Sequence, residues 1–173
     1  MWTLHSFIKA LLTGFVVLAA SNPAIAQPFV VDGKVVAIES GDTLTLINKK
    51  KIRHLVKLAG IDAPELDQPF GDAARSYLQN LVYGKYIKAV GRRFDDSGRL
   101  RGKLLLGGRD INLEIIIAGF AWHHVEVAAE QSLTDRRLYE AAESHARRSK
   151  FNLWSVQNPI PPWTFRSGAF GSK

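Results

Sequence analysis

Val56-Lys57-Leu58-Ala59-Gly60-Ile61-Asp62-Ala63-Pro64-Glu65-Leu66 (VKLAGIDAPEL, residues 56–66) decides how the rest of the chain is read. Its first half continues a β-pattern that begins at Ile52. Ile52, His54, Val56 and Leu58 share one face, and Arg53, Leu55 and Lys57 share the other. Lys57 therefore points away from most apolar side chains of its strand. Gly60 breaks the pattern, and Pro64 marks the segment after it as a turn. A strand end thus carries one cation, Lys57, beside a turn with two carboxylates, Asp62 and Glu65.

Upstream lies Gly41-Asp42-Thr43-Leu44-Thr45-Leu46 (GDTLTL). Leu44 and Leu46 alternate with Thr43, Thr45 and Ile47, a half-buried strand entered through a Gly-Asp turn. Before it, Val30, Val35, Val36 and Ile38 form a β-rich run with an expected break at Asp32-Gly33. Asn48-Lys49-Lys50-Lys51 reads as the hairpin turn between the second and third strands. Downstream, Gly71 to Tyr83 places Ala74, Tyr77, Leu78 and Leu81 at helical spacing, and Gly84 stops the helix.

Tyr86 to Phe94 returns to strand. Asp95-Asp96-Ser97-Gly98 is a turn, and Arg99 to Leu106 alternates again. Arg99, Arg101 and Lys103 fall on one face of it, a candidate phosphate track. Asp110 caps a helix through Ala118 that Gly119 ends. Thr134 or Asp135 opens a last helix to about Ser149, with Leu138, Ala142 and His145 on one stripe. Short strands with helices inserted and following point to a small barrel rather than a parallel α/β sheet.

Three of these stretches carry one chemistry. Asp42 and Asp62 offer the hard oxygens that a divalent cation such as Ca²⁺ takes. Glu65 is a carboxylate able to take a proton from water. Lys57 and Arg99 are cations able to hold a phosphate. Together they compose the parts of a metal-assisted phosphodiester hydrolysis.

The same stretches, GDT at 41–43, KLAGIDAPE at 57–65 and DDSGR at 95–99, resemble the thermonuclease (staphylococcal nuclease) family in order and spacing. The resemblance runs from about residue 30 to the KFNLWS segment at 150–155. It implies an α+β, mainly β chain: an OB-fold five-stranded barrel with about three helices, a fold suited to nucleic-acid strands. It implies Asp42 and Asp62 as Ca²⁺ ligands, with the Ala63 carbonyl as a third. It implies Glu65 as the residue that positions or deprotonates the attacking water, and Arg99 as a phosphate clamp. Cleavage on the 5′-oxygen side, leaving 3′-phosphate ends, is the family precedent.

The chain departs from that family in four places. Lys57 stands where the family has arginine, so the charge survives but the two-pronged grip on phosphate does not. This substitution is expected to impair catalysis. Ser40 replaces the first Asp of the family's DGD, and Ser97 its tyrosine. Near Val125 and Val127 the tyrosines the family often carries are absent. These departures keep open an alternative, a nucleic-acid-binding barrel with weak or no catalysis. A barrel that binds acidic envelope polymers stands on charge alone.

The 173 residues suit one domain, and 46% hydrophobic content supplies a core. The formal charge of +7 favours polyanionic partners, DNA or RNA above all once the motifs are considered. The absence of cysteine excludes disulfides, thiolate zinc sites, a cysteine nucleophile and a lipoprotein anchor.

Lys9, the apolar run at 10–20 and Ala24-Ile25-Ala26 read as a secretory signal peptide cleaved after Ala26. The run is shorter than the ~20 residues of a spanning helix. Residues 1–26 are thus expected to be removed, leaving a nuclease-like domain at 27–156 and a C-terminal tail at 157–173. The product is expected to be secreted or periplasmic, monomeric and without a membrane anchor. Trp163 and Phe165 suggest that the tail docks. Neighbouring His123 and His124 would point to opposite sides of an extended segment, which disfavours shared zinc ligation. Trp122 and Trp154 are read as core.

Overall fold

A computed structural model describes residues 27–168, so the expected signal peptide lies outside the described residues. Among the described residues, eight strands and four α-helices follow one another: β1 (Phe29–Ser40), β2 (Thr43–Asn48), β3 (Arg53–Leu58), β4 (Ile61–Asp62), α1 (Gly71–Val82), β5 (Tyr86–Phe94), β6 (Leu100–Leu106), β7 (Arg109–Asp110), α2 (Ile111–Ile117), β8 (Trp122–His123), α3 (Leu133–Arg148) and α4 (Pro162–Arg166).

The main sheet runs in the order β3-β2-β1-β5-β6-β7, and β3 also pairs with β6. That second pairing is parallel, with Val56 opposite Leu100, Lys57 opposite Arg101 and Leu58 opposite Gly102. It closes β1, β2, β3, β5 and β6 into a five-stranded barrel and leaves β7 outside. With three helices of seven residues or more, this is the OB-fold expected.

Alternation builds the barrel interior. Leu44, Leu46, Val56, Leu58, Leu100 and Leu104 are fully buried from the strands, and Leu78, Ile111 and Ile115 cover them from α1 and α2. Full burial of each such side chain contributes about 1.5–3 kcal/mol. A second cluster joins Trp122, Ala146, Leu153 and Trp154, so both tryptophans are core.

Three expectations are corrected. The first strand has no break at Asp32-Gly33; it is continuous from Phe29 to Ser40. Gly33 instead marks the point where β1 changes partner from β5 to β2. A Cβ there would lie 2.7 Å from the Ile47 carbonyl oxygen, so the glycine permits close strand approach. On α3 the fully buried stripe is Tyr139 and Ala146, while Leu138 is exposed. The buried Tyr139 hydroxyl donates to the Asp110 carboxylate at 2.9 Å, which makes a polar residue the core-facing one. That helix starts one residue early, capped by Ser132, whose Oγ accepts from the Asp135 amide.

The third correction concerns the cationic face of β6. Arg101 is paired with Glu130 at 3.1 Å, and Lys103 with Asp135 at 2.6 Å and Asp110 at 3.3 Å. Carboxylates from distant segments close that face, so it is no open phosphate track.

Candidate active site

Asp42 sits in the two-residue turn between β1 and β2. A Cβ on Gly41 would come 2.6 Å from the Ala74 Cβ and 2.8 Å from the Ala63 Cβ. Glycine there lets the turn press against α1 and the 61–65 segment. The Asp42 carbonyl accepts from the Leu58 amide at 2.8 Å, and its Oδ2 accepts from the Ala63 amide at 2.7 Å. The first and second motifs are thereby stitched directly together.

Asn112 fastens the same region from below. Fully buried on α2, its Nδ2 donates to the carbonyls of Ala59 and Gly102, and its Oδ1 accepts from the Leu104 amide. β4 then pairs with β8, with Ile61 opposite His123 and Asp62 opposite Trp122. Past Pro64, the Glu65 amide donates to Gln68 Oε1 at 3.1 Å, and the Glu65 carbonyl accepts from the Gln68 amide.

These constraints bring Asp42, Lys57, Asp62, Ala63, Glu65 and Arg99 to the wall of one cavity of about 290 Å³. Ser40 and His124 line it too. The two aspartates are buried, and both reach one cation. Lys57 Nζ donates to Asp42 Oδ2 at 2.5 Å and to Asp62 Oδ1 at 3.0 Å. Burial alone would raise the Asp42 carboxyl, but the Lys57 charge and the Ala63 amide bring it below the usual carboxylate range. Burial likewise works against the Lys57 ammonium, and Asp42 and Asp62 more than offset it, so its proton is held more tightly than usual.

Ser40 has a visible part. Its hydroxyl donates to Asp42 Oδ1 at 2.9 Å, as does Thr43 at 3.1 Å. A neutral donor therefore stands where the resembled family has a carboxylate. Arg99 is fixed by its own turn: its Nε donates to Asp95 Oδ2 at 2.7 Å and its amide to Asp95 Oδ1 at 3.0 Å.

One residue of the cavity was absent from the sequence reading. Arg166, on α4 of the tail, donates to both oxygens of Asp62 and, at 2.6 Å, to Glu65 Oε1. The only sequence signal was the expectation that Trp163 and Phe165 dock the tail. His124 packs against the tail: its ring stacks on Trp163 with centroids 4.7 Å apart, and its Nδ1 lies 3.8 Å from Asp62 Oδ2. His123 turns the other way, toward Gln131 and Tyr139, so the two histidines do not converge.

Among the described residues, no three His, Asp or Glu side chains form a ready-made metal cluster. The case for a cation rests on Asp42 and Asp62 alone. Both carboxylates already lie within 3.0 Å of one positive centre, Lys57 Nζ. Two hard carboxylates around one cationic position fit an oxygen-seeking divalent ion that completes its shell with water and substrate.

A closed mainly-β barrel with an acidic, cation-lined cavity at its side defines the class: an OB-fold protein. The family of staphylococcal nuclease homologues matches residues 55–156. A micrococcal nuclease of Shigella flexneri is 37% identical over 161 residues, spanning 87% of each chain. An uncharacterized endonuclease of Haemophilus influenzae is 33% identical over 77% of this chain and 71% of its own. A staphylococcal-like nuclease of Arabidopsis thaliana is 33% identical over 70% of this chain and 35% of its own. The chain belongs to the staphylococcal nuclease family.

Proposed function

We propose that this protein is a nuclease that hydrolyses phosphodiester bonds of DNA, RNA or both with little sequence preference. The observation that carries the reading is the cavity itself: two buried aspartates sharing one cationic position, with Glu65, Lys57 and Arg99 around them. Asp42 and Asp62 would hold a divalent cation, taken here as Ca²⁺, with the Ala63 carbonyl as a further ligand. When bound, the ion supplies Lewis acidity at the phosphate. Glu65, partly open to solvent, takes a proton from the attacking water. Lys57 and Arg99 bind phosphoryl oxygens and stabilise the charge that builds on them.

No helix among the described residues is long and apolar enough to cross a membrane. The export reading of residues 1–26 joins the proposal: a secreted or periplasmic nuclease whose mature chain begins at Gln27.

One observation favours the second reading, a barrel that binds nucleic acid with weak or no catalysis. Lys57 and Arg166 already satisfy the carboxylates that the cation and water would need. The two readings separate in a cleavage assay on DNA and RNA with Ca²⁺ and with chelator, with Asp42→Asn and Asp62→Asn beside the natural protein. Ca²⁺-dependent cleavage lost in both variants supports the nuclease. Binding without cleavage in all of them supports the module.

A further inference from the structure

Arg166 lies 104 residues from Asp62 and outside the matched residues 55–156, yet it reaches into the cavity. The tail is fastened on the way there. Gln68 Nε2 donates to the Ile160 carbonyl at 2.5 Å. Trp163 stacks nearly parallel on His124 and meets Trp122 edge-on at 6.4 Å. These contacts place the first turn of α4 beside the site and aim its last residue inward.

The guanidinium at its end is a planar fork. Its natural complement is a pair of oxygens on one atom, as in a carboxylate or a phosphate. It now grips the Asp62 pair, with Nη2 to Oδ2 at 2.7 Å and Nη1 to Oδ1 at 3.3 Å. A phosphodiester presents an equivalent pair in its two non-bridging oxygens. Lys57, a compact point charge, offers no such fork.

We infer that Arg166 is a phosphate-binding catalytic residue, a tail-borne guanidinium that supplies the two-pronged grip missing at position 57. The inference rests on the nuclease reading. In the free protein Arg166 neutralises Asp62 and Glu65. Once a cation engages Asp62, the guanidinium loses that partner, and the substrate phosphate becomes the anion within reach. The same exchange releases Glu65 to the water it must deprotonate. Arg166 is half-exposed at the end of a short helix, so the move needs only side-chain rotation.

The test compares the natural full chain with Arg166→Ala, Arg166→Lys and the double variant Lys57→Arg/Arg166→Ala. Three quantities are read: kcat on DNA at saturating Ca²⁺, Ca²⁺ affinity without DNA, and the affinity of a short oligonucleotide for Ca²⁺-loaded Glu65→Gln protein with and without Arg166→Ala. Arg166→Ala should lower kcat by on the order of 10²-fold, and Arg166→Lys should recover little of it. Lys57→Arg should restore a larger part, because it returns a fork to the site. Ca²⁺ should bind Arg166→Ala at least as tightly as the natural protein, since a competing cation is gone. An Arg166→Ala enzyme as fast as the natural one, or faster, would overturn the proposal and make Arg166 a plug. If the natural protein cleaves nothing, the nuclease reading fails by itself. The oligonucleotide titration then decides the phosphate contact: weaker binding on loss of Arg166 keeps it, and equal binding removes it.

Discussion

Arg166 and Asp62 are joined by two hydrogen bonds across 104 residues of sequence, a fork from the tail closed on a carboxylate of the barrel turn. Lys57 reaches the same aspartate from β3. Asp62 is therefore held by two cations, both needed elsewhere if a divalent ion and a phosphate enter.

That arrangement predicts a stability effect at Lys57. Lys57→Met would leave Asp42 and Asp62 facing each other, both buried, with no shared counterion. Breaking one side of such a buried pair costs about 3–5 kcal/mol. Urea unfolding without divalent ions should show this loss. Added Ca²⁺ should then stabilise Lys57→Met more than the natural protein, because it replaces the missing charge. Equal stability of the two proteins without Ca²⁺ would contradict the prediction.

Asn112 is predicted to matter for both fold and site. Asn112→Leu would strand the Leu104 amide and the Ala59 carbonyl, while the Gly102 carbonyl would keep its bond from the Ala59 amide. Each buried group left unpaired costs about 1–3 kcal/mol. Because Ala59 leads into the Asp62 turn, cleavage rate at saturating Ca²⁺ should fall along with the thermal midpoint. A variant that keeps both would show that the turn is held without Asn112.

The pH response follows from pairs outside the cation cradle. For Asp135, burial works toward a higher value, but the hydrogen bond from Lys103 wins and its carboxyl lies below the ordinary range. Asp95 is lowered in the same way, burial being outweighed by bonds from Arg99 and Ser97. A group lowered on folding stabilises the fold above its unfolded value, about 3.9 for Asp, and loses that contribution as pH falls through its folded value. The thermal midpoint should thus drop most steeply below about pH 4. Asp135→Asn should flatten that acid limb. An unchanged limb would mean that Asp135 does not contribute to it.

Gly41→Ala is predicted to act on the site more than on the core. The added methyl would press on Ala74 and Ala63, and the cheapest relief is a shift of the Asp42 turn. Ca²⁺ affinity, measured by calorimetry, should weaken several-fold while the far-ultraviolet dichroism of the barrel stays. Unchanged Ca²⁺ binding would show that Asp42 is placed independently of this contact.

How far the sequence could be read depends on where the information lies. Strands with clean alternation, such as Leu44 and Leu46 or Leu100 and Leu104, declare their buried faces locally. The residues of GDT, KLAGIDAPE and DDSGR were legible as one site because each motif carries its own turn. Gly33 was misread because glycine signals either a break or a close approach, and only the Ile47 carbonyl across the strand pair tells which. The β6 cations were misread because alternation names the face but not Glu130 and Asp135, which come from another segment to cover it. Arg166 was invisible for a related reason. PPWTFRSG has no periodicity, and its meaning lies in Asp62 and Glu65, which folding alone brings near.

The central claim is that Glu65 takes the proton from water beside a cation held by Asp42 and Asp62. It is tested most directly by single-turnover cleavage of a DNA substrate by the natural chain and by Glu65→Gln, each with saturating Ca²⁺ and with chelator. An amide has no basicity at neutral pH, so Glu65→Gln should bind Ca²⁺ and DNA yet cleave at least ~10²-fold more slowly. Chelator should silence the natural protein. Full-rate cleavage by Glu65→Gln, or by the natural protein in chelator, would contradict the account.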